Sequence, residues 1–466
     1  LKSSTTGTQN TAVGANSLGS NLVGGYNTAV GYGALTLNVG HNNTAVGHGA
    51  LDSNTSGQQN VGMGRDALGS NSTGQNNTGI GRSSLGANTT ASDNTAVGFG
   101  SLDVNTSGLS NTAVGSGSLG SNLTTSRNSA FGYAALSANI ADNNSAFGEM
   151  ALTANTSGAY GAAFGRETLK SNTTGGRNSG FGATALKLNT TGADNTAVGF
   201  EALSNNISGA DHVAIGKSAL KSNTTGTQNL AIGMMALNQN TTGTKNTGVG
   251  RYALHNVTTQ TDNTVVGYAA GFYNTGSYNT GLGVDALYGN TSGANNVAVG
   301  YKSTYTNGGT GSNNTAVGYK SFYTASSGGS NTAIGANSLY TNSSGANNVA
   351  VGSKALELNT TASNNTAVGR EALRRNVTGT ENTAISPVSL WTNTTGNYNV
   401  AVGMSSLQYA TTASSNTAVG HSSLKANITG ANNVAVGKDA LIANTTGSQN
   451  TAIGHESLTT NTAGQL

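Results

Sequence analysis

The pentapeptide Asn10-Thr11-Ala12-Val13-Gly14 recurs along the whole chain, as Asn27-Thr28-Ala29-Val30-Gly31, as Asn94-Thr95-Ala96-Val97-Gly98 and finally as Asn450-Thr451-Ala452-Ile453-Gly454. Counted from its last residue, the anchor, there are 27 copies, with Ser386 in place of glycine in one. Of the 26 intervals, 22 are 17 residues long, three are 16 and one is 18. A period of this length marks a solenoid, in which each unit buries its apolar side mainly on its neighbours. The 466 residues therefore read as one continuous array over 1–466, not as several globular domains.

Each column of the repeat carries its own chemistry. The residue before the anchor (position −1) is apolar in all 27 copies, and position −2 is Ala or Gly except at Val265. Position −3 is Thr or Ser in 19 copies and Val in six, and position −4 is Asn in all but Gly161 and His212. After the anchor, position +3 is small, +4 is Leu in 24 copies, and +7 is Asn in 24, usually followed by Thr-Thr-Gly or Thr-Ser-Gly. Alternation in Asn-Thr-Ala-Val places Thr and Val on one face and Asn and Ala on the other, the periodicity of a strand. The anchor glycine suits a tight bend, and Asn-Thr-Thr-Gly is turn chemistry. The small residue and Leu are expected to form a second short strand. Together these features predict an all-β fold, a parallel β-solenoid or β-roll of about 27 coils. Stacked asparagines are expected to form amide ladders.

Val and Leu are read as the core contacts, which leaves a thin core for each coil. The uniformly small column at −2 fits either a narrow coil interior or a second chain packed closely against it. We expect self-association along the stack, with a homotrimeric rod as the preferred form. Composition narrows the partners. Only 8% of residues are charged and the net charge is +3, so there is no basic field for nucleic acid. No apolar run is long enough to span a bilayer, so no membrane contact by this segment is expected. There is no cysteine, which excludes a disulfide framework and thiolate metal sites.

Thr-Ala-Val-Gly followed by two free residues and a small one resembles the Ala-Ile-Gly-x-x-Ser/Ala repeat in the head domains of trimeric autotransporter adhesins. The arrays of Asn-Thr-Ala-Ile-Gly and Leu-x-x-Asn-Thr-Thr-Gly are also similar to those of phage-type tail-fibre repeats. The resemblance covers essentially all of residues 1–466. It implies a left-handed coil, a homotrimer, and an extracellular location on a bacterial cell surface or phage virion. It also implies a host-cell surface, extracellular matrix or glycan receptor as partner. The longer Asn-Thr-Thr-Gly loop departs from the adhesin pattern. No neck, stalk, anchor or export signal is visible, and any such segment is expected to lie outside this sequence.

The chain shows no constellation for catalysis. His41, His48, His212, His255, His421 and His455 are scattered, with no ligand spacing between them. No catalytic, cofactor-binding or metal-binding residue is assigned, and the protein is expected not to be an enzyme. The many Asn-x-Thr/Ser sequons, such as Asn54-Thr55-Ser56, follow the period and read as turns. Two irregular stretches stand out, around 252–325 and 383–391. The first holds nine of the 16 tyrosines and all three failures of the Leu column, Gly271, Thr304 and Phe322. Tyr268, Tyr273, Tyr278, Tyr288, Tyr301, Tyr305, Tyr319 and Tyr323 are its candidate receptor contacts. The competing expectation is that these larger side chains patch a coil defect. The second stretch loses the anchor at Ser386, carries Pro387, the only proline, and adds Trp391, the only tryptophan and a further candidate contact. A local bulge is expected there.

The leading functional expectation is an adhesive or structural fibre segment that presents binding surfaces away from the cell or virion. The rivals are a self-assembling extracellular filament, an ice-binding solenoid with Thr columns that order water, and a glycan-cleaving tailspike. Apparent burial of Thr beside Val argues against ice binding. The scarcity of adjoining carboxylates argues against cleavage.

Overall fold

A computed structural model describes residues 5–306 and 308–464. The chain forms two compact units, residues 1–229 and 230–466. The first carries strands β1 (Thr11–Val13) through β13 (Val213–Ile215), and the second β14 (Leu230–Ile232) through β27 (Thr451–Ile453). Every strand is the three-residue segment before an anchor. Within the first unit Thr95, Ala96 and Val97 pair in parallel with Thr112, Ala113 and Val114. Within the second, Thr366, Ala367 and Val368 pair with Thr383, Ala384 and Ile385. Both units are all-β parallel solenoids of 17-residue coils, as the period requires, and no helix occurs among the described residues.

The inner and outer faces are the reverse of the expected ones. Ala29, Ala45, Ala96, Ala350 and Ala367 at −2 are 0% exposed, while the −1 residues are half-buried or exposed. Alanine, not valine, is therefore the interior contact of the strand. The small column is explained by a narrow coil interior. At Gly62 an added Cβ would lie 3.2 Å from Cγ of Leu51, so the opposite wall leaves little space. The Val column faces outward, where Phe131, Phe147, Phe164 and Phe181 form a stack with ring centroids 4.6, 4.7 and 4.9 Å apart.

The small residue and Leu form a turn, not a second strand. Leu51 has φ 52° and Leu356 φ 50°, and the same left-handed value recurs wherever Leu occupies +4. This conformation costs about 1–2 kcal/mol in an L-residue. It is offset by complete burial of the side chain, which contributes about 1.5–3 kcal/mol. Backbone bonds also fix the turn: Leu51 N–H donates to the Ala67 carbonyl at 3.0 Å, and Asn54 N–H to the Leu51 carbonyl at 3.1 Å.

Two buried asparagine columns tie each coil to the next. At +7, Asn71 Nδ2 donates to Asn54 Oδ1 and Asn88 Nδ2 to Asn71 Oδ1, both at 2.8 Å. At −4, Asn43 Oδ1 accepts from the Asn60 backbone N–H at 3.0 Å. Asn60 Nδ2 then donates to the Gly74 carbonyl at 2.9 Å, the same oxygen that Asn71 Nδ2 reaches at 3.1 Å. A Cβ on Gly74 would collide with the Ala91 carbonyl of the next coil, which explains the glycine of Asn-Thr-Thr-Gly.

The exceptions follow from the same geometry. Where Leu is lost at Gly271, the one large −2 residue, Val265, fills the space: a Cβ on Gly271 would lie 3.4 Å from Val265 Cγ2. Thr304 is followed one coil later by fully buried Phe322. The expected bulge at Pro387 does not form. β23 (Thr383–Ile385) stays in register with Val400–Val402. The amide at +1 takes no part in the backbone ladder of other coils, so proline there removes no bond. Ser386 holds the anchor's conformation with φ 112°, a strained value for a residue other than glycine, and Val388 with φ 52° is another such residue of that coil.

His212 replaces an asparagine of the −4 column and reproduces its bonds. Asn229 N–H donates to its Nδ1 at 3.2 Å, and its Nε2 lies 2.6 Å from the Gly226 carbonyl. Only a neutral ring protonated on Nε2 satisfies both. Burial pushes its pKa from the ordinary 6.5 down to about 4. Between those values the unfolded chain binds a proton that the folded coil excludes. Stability is therefore full above pH 6.5 and falls as the pH drops toward 4, by at most about 3 kcal/mol. Urea denaturation across this range is expected to show the loss, and His212→Asn to remove it.

At +7, Ala410 breaks the ladder and leaves Asn393 Oδ1 buried without a hydrogen-bond partner. Ala410→Asn supplies the missing donor. It is expected to stabilise the second unit by about 1 kcal/mol, read as a higher urea midpoint.

Candidate functional site

Stacking in register places every residue of a column directly above its counterpart in the next coil, and this builds an extended aromatic feature in the second unit. Position +5 is aromatic in six successive coils: His255, Phe272, Tyr288, Tyr305, Tyr323 and Tyr340. Successive ring centroids are 4.9, 5.6, 5.1, 5.2 and 4.9 Å apart, and the interplanar angles are 19° or less. Rings at this spacing attract one another by roughly 0.5–1.5 kcal/mol per pair beyond simple burial. Their faces cover one another, so the ladder offers ring edges and phenol hydroxyls to solvent. Burial raises the Tyr288 pKa, which keeps that hydroxyl a proton donor.

A second, exposed column runs beside it at +1, where Tyr301 and Tyr319 stack at 5.6 Å. Lysines at +2 lie between the two columns. Lys302 Nζ is 5.3 Å from the Tyr301 ring centre and 4.7 Å from that of Tyr305. Lys320 Nζ is 5.3 Å from Tyr319 and 5.5 Å from Tyr323. The neighbouring tyrosines, Tyr301 and Tyr319 first, hold both ammonium groups above the usual lysine range, so both stay cationic. Lys302 also lies 4.0 Å from the Asp285 carboxylate, whose pKa burial pushes up. Among the described residues Lys320 has no carboxylate partner within that distance.

At the end of the ladder, Tyr319, Lys320, Asn337, Tyr340 and Glu357 line a shallow depression of about 290 Å³. Glu357 is the next +5 residue after Tyr340. Its carboxylate is held by Arg374 Nε, and the same guanidinium lies 3.8 Å from Glu371.

The expected contacts thus separate. Tyr288, Tyr305 and Tyr323 belong to the ladder, and Tyr301 and Tyr319 to the flanking column. Tyr273 meets Phe272 and Tyr288 edge-on at 4.7 and 5.4 Å, and Tyr268 meets Tyr252 edge-on at 6.3 Å. Tyr278 makes no ring contact among the described residues and lies in the turn before Asn279. Trp391 also occupies +5, but Glu357 and Arg374 separate it from the ladder; Arg375 covers its ring at 4.9 Å. Its buried Nε1 has no hydrogen-bond partner. The tyrosines are not core patches, since Val265 and Phe322 fill the defects. Sequence reasoning missed Phe272, His255, Tyr340, Lys302 and Lys320. Counting five residues from each anchor would have found the ladder.

Elsewhere the same stacking brings Asp439, His455 and Glu456 together, with ligand atoms within 4.8 Å of one another, a proximity that linear spacing did not reveal. These groups lie on the surface, and nothing else among the described residues marks a cation site. In the first unit Glu167 sits between Lys170 at 2.8 Å and Lys187 at 2.9 Å. These partners, Lys170 first, lower its pKa to about 2. No helix among the described residues is long and apolar enough to cross a membrane. No protein-family model matches the chain, and no curated protein matches it.

Removing one ring from the middle of the ladder breaks two stacked contacts. Tyr323→Ser is expected to destabilise the second unit by about 1–3 kcal/mol in urea denaturation, and Tyr323→Phe by less than 1 kcal/mol.

Proposed function

We propose that this protein is a non-enzymatic fibre segment, structural and adhesive, that assembles with further copies of itself. Its place is outside the cell, on a bacterial surface or a phage-type fibre, as the repeat's resemblance implies. One observation carries the self-association. In the nine coils from Thr315 to Ile453 the outward residues are only Thr or Val at −3 and only Val or Ile at −1. Ile334, Ile385 and Val400 are more than a third exposed in the single chain. A strip two residues wide over the 14 strands of the second unit offers on the order of 700 Å², near the roughly 800 Å² per partner of a stable interface. A second copy, which presents the same strip, is the occupant that such a surface fits, and three copies close the arrangement symmetrically. The variable columns at +1, +2 and +5 then remain outside, free to meet a host-cell, matrix or glycan receptor.

Light scattering is expected to give three times the 46.1 kDa chain mass. Val351→Lys with Val368→Lys places charge in the strip and is expected to yield monomers with unchanged circular dichroism. A monomeric parent protein at micromolar concentration overturns the proposal.

The outward Thr column also supports ice binding as a second reading, because the argument against it assumed that Thr was buried. Thr315, Thr332, Thr366, Thr383 and Thr417 lie on the outer face with β-branched neighbours at a regular interval. Thermal hysteresis by a monomeric form would favour that reading over the fibre.

A further inference from the structure

We infer that the depression at the end of the tyrosine ladder is a binding site for an acidic saccharide, one whose sugar ring carries a carboxylate. This deepens the adhesive reading above by naming a ligand class, and it does not depend on the number of chains.

Three features converge at one place. Apolar ring surface is supplied by Tyr319 and Tyr340, which line the depression from the +1 and +5 columns. Aromatic side chains of this kind offer a rigid body for the C–H surface of a sugar and a hydroxyl for its polar rim. Hydrogen-bonding groups of both kinds are present, since the Asn337 amide can donate and accept and the Glu357 carboxylate accepts from sugar hydroxyls. Arg374 orients that carboxylate from behind and compensates its charge. The site therefore keeps one uncompensated charge, the Lys320 ammonium, with no carboxylate partner among the described residues. A cation set among aromatic rings, an amide and a carboxylate already paired with Arg374 selects an anionic ligand, through a charge-assisted hydrogen bond. The volume of about 290 Å³ admits one or two sugar rings, not a folded protein surface.

The position along the stack adds direction. One coil earlier, between Tyr301 and Tyr305, Lys302 repeats the place of Lys320. That lysine is already near Asp285, so the acidic group of the ligand belongs at Lys320.

The test is titration calorimetry of the full chain at low salt with two probes, a hexamer of galacturonic acid and the same hexamer with its carboxylates methyl-esterified. The acid hexamer is expected to bind, and the ester to bind at least about tenfold more weakly. Lys320→Gln is expected to weaken the acid hexamer by about tenfold and leave the ester unchanged. Lys302→Gln, at the already paired position, is expected to have a smaller effect. Failure of the acid hexamer to bind, equal binding of both probes, or indifference to Lys320→Gln overturns the site. Light scattering on the same samples separates the two proposals. A trimer without saccharide binding sinks only the site, and a monomer that binds the acid hexamer sinks only the self-assembly.

Discussion

The hydrogen bonds of the buried asparagine amides set the terms for everything else in this structure. Most amides at +7 donate to the counterpart one coil before, and the −4 side-chain oxygens accept a backbone N–H one coil ahead. A buried amide left unpaired costs about 1–3 kcal/mol, so a slip of register by a single residue would incur that penalty in every coil. This is why the coil length holds so closely to 17 residues. It is also why His212 is tolerated, since its imidazole offers an acceptor and a donor at the places the amide would. Where the ladder lapses, at Val257, Ala325 and Ala410, the substitute is apolar and buried.

Strict register has a second consequence. Any side chain repeated at one position becomes a continuous stack, whatever its chemistry. Four phenylalanines at −1 produce one ladder in the first unit, and six aromatic residues at +5 produce another in the second. Charges obey the same rule: Glu357 and Arg374 occupy the +5 column in successive coils and pair. The solenoid thus turns a one-dimensional pattern into a two-dimensional surface, with rows fixed by the coil and columns fixed by the period.

This geometry explains what could be read in the sequence and what could not. The period, the strand at Asn-Thr-Ala-Val and the amide ladders follow from residue spacing and chemistry, and the structure contains all three. The sidedness of the strand does not follow. Period-two alternation defines two faces, but hydrophobicity pointed to Val as the inner one, whereas the narrow interior admits only Ala or Gly opposite Leu. The Leu turn was equally hidden, because no propensity argument places a leucine at φ near 50°. Volume compensation was legible only in hindsight, in the coincidence of Val265 with Gly271 within one coil. The tyrosine site was seen as a local enrichment, and that view scattered it among unrelated positions. Tyr278, counted with the others, is apart from the ladder, and Tyr340, outside the enriched window, is its end.

The division between fixed and free columns also bears on where recognition can reside. Positions −4, −2, +4 and +7 face inward and are held by amide bonding or by space, so they carry no information from coil to coil. Positions −3 and −1 face outward but stay almost uniformly apolar or small, which suits contact with a repeating partner such as another copy of the same chain. Besides the turn position −5, which holds Tyr160, Arg177 and Asp194 in successive coils, the columns +1, +2 and +5 are exposed and variable, holding Arg166-Glu167 with Lys170 in one coil and Tyr301-Lys302 with Tyr305 in another. A ligand that distinguishes one coil from the next can be read there. The aromatic ladder, its lysines and the depression that ends it all lie in these three columns. The repeat thereby separates the residues that build the stack from those that can give one stretch of it a specificity of its own.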